Sequence, residues 1–150
     1  MRTVIQKVSS ASVSIEGKKV ADISKGLLVL LGIEHEDDRS DADWLCEKIV
    51  KMRIFTDEEG KMNRSVQDEE GSIIVVSQFT LHASTKKGNR PSFIKAARPE
   101  KAIPLYEYFI EKLKSLGIKN VGSGRFGAMM DVELVNEGPV TVVVDSKNRE

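Results

Sequence analysis

Cysteine occurs once in the 150 residues, at position 46, so an internal disulfide is excluded and a reducing compartment is expected. Proline is scarce at four residues, and the eleven glycines follow no repeat, which excludes collagen-like and proline-rich disordered chains. An excess of one charge is missing too. Lys plus Arg number 23 and Asp plus Glu number 23, a poor basis for sequence-independent binding to bulk nucleic acid such as DNA. The longest apolar run, Gly26–Ile33, is far short of the ~20 residues a membrane span needs. The opening residues Met1–Lys7 lack the apolar region of a secretory signal and alternate like a strand. These absences point to a cytoplasmic protein with neither membrane nor DNA as a partner. What is present, 40% hydrophobic and 31% charged residues, suits one globular domain over 1–150. Such a domain buries roughly 70% of the surface its unfolded chain exposes.

The charges are unevenly placed. Between Lys86 and Lys101 stand six basic residues (Lys86, Lys87, Arg90, Lys95, Arg98, Lys101) against one acid, Glu100. Acidic residues gather at 34–38, 57–59 and 68–70. Charge runs of this kind are ordinarily solvated loops. The alternative is a localised basic surface that meets a small polyanion, and composition leaves both open.

Residues 2–9 and 12–16 alternate and lead into Glu16-Gly17-Lys18, two strands and a turn. Residues 26–33 form a continuous apolar strand buried on both faces. Ser40 with Asp41 and Asp43 makes a helix start, and Leu45, Ile49 and Met52 define an amphipathic helix over 41–53. A second buried strand covers 72–79. The polar, basic stretch 82–98 is a long connection of the type that carries function. Pro99 opens a second helix whose stripe runs through Ala102, Leu105, Tyr106, Phe109, Leu113 and Leu116 to a stop at Gly117, with a bend or restart expected at Pro104. Three closing strands, about 119–126, 130–136 and 139–145, follow, the last two separated by a tight turn at Asn136–Pro139. The pattern ββ–βα–βα–βββ is an α+β fold: a curved, barrel-like sheet carrying two helices.

Few residues offer familiar chemistry. His35, His82 and Cys46 have no zinc-ligand spacing, and the acidic runs lack an EF-hand pattern, so neither metal nor cofactor is expected. A Ser-His-Asp triad from Ser77 or Ser84, His82 and Asp131 lacks a nucleophile elbow, and His82 reads as a surface residue of the basic loop. Cys46 lies on a helix's apolar stripe, where a thiol is buried and inert. Gly122-Ser-Gly-Arg-Phe-Gly127 has dinucleotide-fingerprint spacing but leads into a strand, so its glycines serve bulges or close backbone approach.

Four separated segments, in order, are more specific: Ser77-Gln-Phe-Thr-Leu81, Lys87-Gly-Asn-Arg-Pro-Ser-Phe93, Gly124-Arg-Phe-Gly-Ala128 and Asn136-Glu-Gly-Pro-Val-Thr141. Together they resemble the D-aminoacyl-tRNA deacylase family, formerly D-tyrosyl-tRNA deacylase. Ile5–Val8, Ala11–Val13 and Gly26–Gly32 are similar to that family's opening strands, so the resemblance runs end to end.

The resemblance implies a cytoplasmic homodimeric hydrolase, acting in translation quality control, that cleaves the ester between a D-amino acid and the 3′-terminal adenosine of tRNA. It implies that Ser77, Gln78, Phe79 and Thr80 form the catalytic strand end. Gly138-Pro139, joined by a cis bond, enters the partner subunit's site as the chirality filter, with Asn136, Met130 and Lys7 around it. The filter rejects L-aminoacyl-tRNA, and glycine, having no side chain, passes. An aminoacyl ester is already activated, so backbone N–H groups near Phe79 and Thr80, helped by the ribose 2′-OH, rank above Thr80 as a nucleophile. Lys86, Lys87 and Arg90 meet acceptor-end phosphates, and Phe79 contacts the terminal adenosine. Two positions depart from the pattern: Lys7 stands where many relatives carry Arg, and Met129 where they often carry an acid.

Overall fold

A computed structural model describes residues 1–150. Strand β1 (Arg2–Ile15) turns back at Glu16 and Gly17, both at positive φ (50° and 78°) as a two-residue hairpin turn requires, into β2 (Lys18–Ile23) and then β3 (Gly26–Gly32). β1 is one strand rather than two. Its first half pairs with β3 (Arg2↔Gly32 to Val8↔Gly26) and its second half with β2 (Ala11↔Ile23 to Ile15↔Lys18). Helix α1 (Arg39–Lys51) follows, then a small hairpin, β4 (Phe55–Thr56) and β5 (Met62–Arg64), whose short strands give no periodic signal in the sequence. β6 (Ser72–Ser77) lies parallel to β3. Helix α2 (Pro99–Ser115) leads to β7 (Val121–Ser123), parallel to β6, and to β8 (Asp131–Asp145), antiparallel to β1.

The expected α+β class, with two helices on a curved, nearly closed sheet, is what the chain adopts. Alternation explains why β3 and β6 read as unbroken apolar runs. Leu27, Val29, Leu31, Ile73 and Val75 face the helices, while Leu28, Ile74 and Val76 face inward with Val8, Val13, Ala21 and Ile23. From the helix side, Ala42, Leu45, Cys46 and Ile49 of α1 meet Ala102, Tyr106, Phe109 and Leu113 of α2 over the sheet. Each large side chain so buried is worth about 1.5–3 kcal/mol.

Four further expectations need correction. α1 starts earlier than Ser40: Asp38 is the cap, accepting from Ser40 N–H at 2.8 Å, while Asp41 returns the bond to Asp38 N–H at 3.0 Å. This reciprocal box satisfies two free helix-end donors, which one Ser cap does not. α2 neither breaks nor restarts at Pro104, near its start, where only one ladder bond is lost and the buried stripe holds the rest. β6 ends at Ser77 rather than 79. Finally, Asn136–Pro139 is not a tight turn between two strands. Both halves of β8 pair with β1 in the same direction, Thr141 opposite Gln6 and Asn136 opposite Val8, so residues 137–140 bulge out opposite Lys7 alone.

Candidate active site

β6 ends because Gln78 turns out of the sheet. Its N–H still donates to Leu31 O at 2.7 Å, and the chain then makes one 3-10 turn, Phe79–His82. In such a turn each N–H bonds the carbonyl three residues back, as Leu81 N–H does to Gln78 O at 3.2 Å. The N–H groups of Phe79 and Thr80 open the turn and have no acceptor inside it. The Gln78 side-chain amide donates to Thr80 Oγ1, and no other side chain bonds that hydroxyl.

Ser77, Gln78 and Phe79 open onto a pocket of about 330 Å³ at the C-terminal ends of β3 and β6. Its other walls are Leu31 and Ile33, Ala97 and Ala102 at the start of α2, and the segment 126–132 with Met129 and Met130. Ala97 N–H donates to Ile33 O at 2.8 Å, which fixes the helix start against the strand. A Cβ on Gly124 would lie 2.2 Å from Met130 Sδ and one on Gly122 3.1 Å from Ala21 Cβ. These glycines thus permit the close approach the sequence suggested. Phe79 is 55% exposed at the mouth and meets Phe93 edge-to-face at 5.2 Å; Met129 is 91% exposed. Phe93 escaped the sequence reading, although it stands within one of the four motifs.

The basic loop closes on itself. Ser84 and Ser92 exchange N–H···O bonds at 2.8 and 2.9 Å, leaving Lys86, Lys87 and Arg90 exposed at the tip with no carboxylate within 4.0 Å. His82 is not a surface residue of this loop. It is buried, with Nδ1 3.4 Å from Glu34 Oε2, because the turn folds its ring down against Gly32. Cys46 is buried, its thiol hydrogen directed at Phe109 O (3.5 Å), and burial pushes its pKa up. The Tyr106 hydroxyl, donating to Val75 O at 2.8 Å below the pocket, is pushed up to about 12, again by burial.

The remaining candidates sit elsewhere in the sheet. Lys7 is 5% exposed, with Nζ 3.9 Å from Glu137 Oε1 and 5.5 Å from the Phe55 ring centre. Asn136 Nδ2 donates to Lys7 O and to Val140 O, both at 3.0 Å, pinning the base of the bulge. Gly138 has φ 130°, and the Gly138–Pro139 peptide is cis. A Cβ at Gly138 would meet Val140 Cγ2 at 2.8 Å. Register gives the separation from the pocket: Ser77 aligns with Leu31 and Leu31 with Thr3, four residues from Lys7, and β8 lies one strand further. At ~3.3 Å per residue and ~4.8 Å per strand, Gly138-Pro139 is roughly 20 Å along the sheet from Ser77. One chain brings Ser77, Gln78, Phe79 and Met130 together, and leaves Lys7, Asn136, Gly138 and Pro139 as a second cluster.

Comparison with known proteins puts this chain among hydrolases of the aminoacyl-tRNA ester. The D-Tyr-tRNA(Tyr) deacylase family matches residues 4–145, and the chain belongs to that family. It is 65% identical to a D-aminoacyl-tRNA deacylase of Flavobacterium johnsoniae and 60% identical to one of Bacteroides fragilis, each over 100% of both chains. Among solved structures, a protein described as c-Myc DNA unwinding element binding protein is similar, with TM-score 0.92 and 39% identity over 97% of this chain and 98% of that one. A probable eukaryotic D-amino acid tRNA deacylase shares the fold at TM-score 0.80, with 18% identity over 95% and 97% of the two chains.

Proposed function

We propose that this enzyme hydrolyses the ester joining a D-amino acid, or glycine, to the 3′-terminal adenosine of tRNA in the cytoplasm, and spares the L-aminoacyl ester. The observation that carries the reading is the end of β6, where two backbone amides without acceptors in the turn stand beside an apolar pocket. Water attacks the ester carbonyl, and the Phe79 and Thr80 N–H groups receive the negative charge that develops on oxygen. The ribose 2′-OH relays the proton, accepting one from the attacking water as it passes its own to the departing 3′-oxygen. Collapse breaks the acyl–oxygen bond, giving a free amino-acid carboxylate and tRNA with its 3′-hydroxyl restored. Thr80 Oγ1 has the Gln78 amide as its partner and no base to activate it, which ranks it below water as nucleophile.

Chirality is read by rejection. D and L esters carry the same groups, so attraction separates them weakly, whereas a rigid wall at the L side-chain position costs the wrong isomer several contacts. Gly138-Pro139 is the wall, and its carbonyls hold the substrate ammonium. Because it lies roughly 20 Å from Ser77 along its own sheet, it serves a second copy of the chain, in a homodimer whose two sites form reciprocally. Lys7 and Asn136 hold the bulge, Met130 lines the pocket, and Lys86, Lys87 and Arg90 take phosphates of the acceptor end.

The test is ester loss from D-tyrosyl-, L-tyrosyl- and glycyl-tRNA incubated with the protein. D and glycyl esters should be cleaved and the L ester spared. A generic esterase would cleave a small aryl ester without RNA, and a non-catalytic RNA-binding module would leave all three esters intact. Either result overturns the proposal.

A further inference from the structure

We propose that Arg2 is a positioning residue for the turn bearing Gln78, Phe79 and Thr80, and that Gly32 is the seat on which this turn rests. The inference builds on the reading of that turn as catalytic. In register, Arg2 stands directly opposite Gly32 on β3 and directly opposite Asp145 on β8. Residues so paired present their side chains on one face of the sheet. On that face the turn occupies the space a side chain at Gly32 would need: a Cβ there would meet Leu81 Cβ at 3.0 Å, Gln78 O at 3.1 Å and His82 Cδ2 at 3.1 Å. Glycine lets the turn lie directly on the strand.

Arg2 then ties it down. Its Nη1 donates to Leu81 O at 2.8 Å, and its Nε donates to Asp145 Oδ2 at 3.0 Å. A four-residue 3-10 turn has few bonds of its own, and the carbonyl at its end looks outside for a donor. The turn is therefore anchored at both ends, by Gln78 N–H on Leu31 O (2.7 Å) and by Arg2 on Leu81 O. Between those anchors stand the two amides assigned to the oxyanion. Asp145 orients the guanidinium, and the planar fork bonds carbonyl and carboxylate together, which an ammonium on a flexible stem reproduces only in part. The Arg2–Asp145 pair is partly exposed, so losing it has little effect on global stability. A shift of 1 Å in the donors, in contrast, costs up to about 100-fold in rate.

The experiment compares wild type, Arg2→Met, Arg2→Lys and Gly32→Ala in steady-state deacylation of D-tyrosyl-tRNA, with amide hydrogen exchange at the bonded amides of the turn, Gln78 and Leu81, and urea unfolding of each. Arg2→Met should lower kcat by about 10- to 100-fold with KM within about twofold of wild type, speed exchange at Leu81 and leave the unfolding midpoint near wild type. Arg2→Lys should recover part of kcat, and Gly32→Ala, where it folds, should resemble Arg2→Met. Unchanged kcat or unchanged exchange at Leu81 in Arg2→Met overturns the proposal, as does a rate loss that merely follows a lowered unfolding midpoint. Wild-type protein inert towards D-tyrosyl-tRNA would strike the catalytic reading of the turn instead, and the exchange measurement would still decide the brace.

Discussion

At the scale of single residues, the site is built from backbone positions more than from reactive side chains. Thr80 is the sharpest case. Its hydroxyl accepts from the Gln78 amide, and its N–H opens the turn. Thr80→Ala removes the first feature and keeps the second, so hydrolysis of D-tyrosyl-tRNA should stay within about tenfold of wild type, against the ~100-fold or greater loss that follows removal of an oxyanion donor. Loss of activity to background in a folded Thr80→Ala would restore threonine as the nucleophile. Gly26 shows how far backbone can dictate a residue type: a Cβ there would lie 1.8 Å from Ser72 O on the adjacent strand. Gly26→Ala must push β3 and β6 apart, and a loss of about 3 kcal/mol in urea unfolding is expected. The sequence marks Gly26 only as the edge of an apolar run, since the contact spans 46 positions.

At the scale of elements, the basic loop and the start of α1 make separate predictions. The tip of the loop presents Lys86, Lys87 and Arg90 to solvent with no acidic partner, as a surface for phosphates requires. Replacing all three by Ala should raise KM for aminoacyl-tRNA, leave kcat near wild type and flatten the salt dependence by roughly 2 in log–log slope, at ~0.7 per single-strand phosphate. An unchanged salt slope would move the tRNA contact to another surface. At α1, the Asp41 carboxylate accepts from Asp38 N–H, Ser146 Oγ (2.7 Å) and Lys147 Nζ (3.2 Å), tying the helix start to the segment after β8. Asp41→Ala takes the acceptor from Asp38 N–H and from the buried Ser146 hydroxyl, while the exposed Lys147 ammonium keeps Glu36 O, and a loss of about 1–3 kcal/mol is expected from thermal or urea unfolding. Both elements were legible in the sequence as a basic connection and a capped helix. The cap residue was not, because Ser40 and Asp38 both suit that role and the returning bond from Asp41 selects between them.

At the scale of the molecule, titration and assembly are the testable properties. Burial works to raise the carboxyls of Asp41 and Asp145, but their hydrogen bonds from Ser146, Lys147 and Arg2 outweigh it, and both titrate below the ordinary range, as does Glu69 beside Lys25. Groups depressed in the fold stabilise it above their unfolded values near pH 4, and that contribution is lost as pH falls through the folded values. Cys46 and Tyr106, raised by burial, and Lys147, raised by its bond to Asp41, act oppositely: their contribution is complete below their unfolded values and lost above them. Thermal midpoints should be level from about pH 5 to 8 and fall on both sides, beginning near pH 8.5 at the alkaline end, where an unfolded thiol ionises. A midpoint that rises below pH 4 would contradict this. Light scattering should find a dimer, and a monomeric variant should lose D-selective hydrolysis. A monomer as active and as selective as wild type would put the chirality filter within one chain.

Local spacing determined the elements themselves. Period-2 alternation in β1, unbroken apolar runs in β3 and β6, and a 3.6-residue stripe in each helix are properties of neighbouring residues, and they survive folding because burial rewards them directly. Motif order also sufficed to bring Ser77–Thr80 and Asn136–Thr141 to notice. The tertiary structure decided what depends on a distant partner. Residues 136–139 have the composition of a hairpin turn, yet 137–140 bulge within one strand because the unbroken edge of β1 pairs on either side of them, at Asn136 and Thr141. His82 has the neighbours of a loop residue, yet it is buried because Gly32 leaves room for its ring. Arg2 carries no signal at all in the sequence, and only the register that sets Gly32 on one side of it and Asp145 on the other gives its guanidinium a carbonyl to hold.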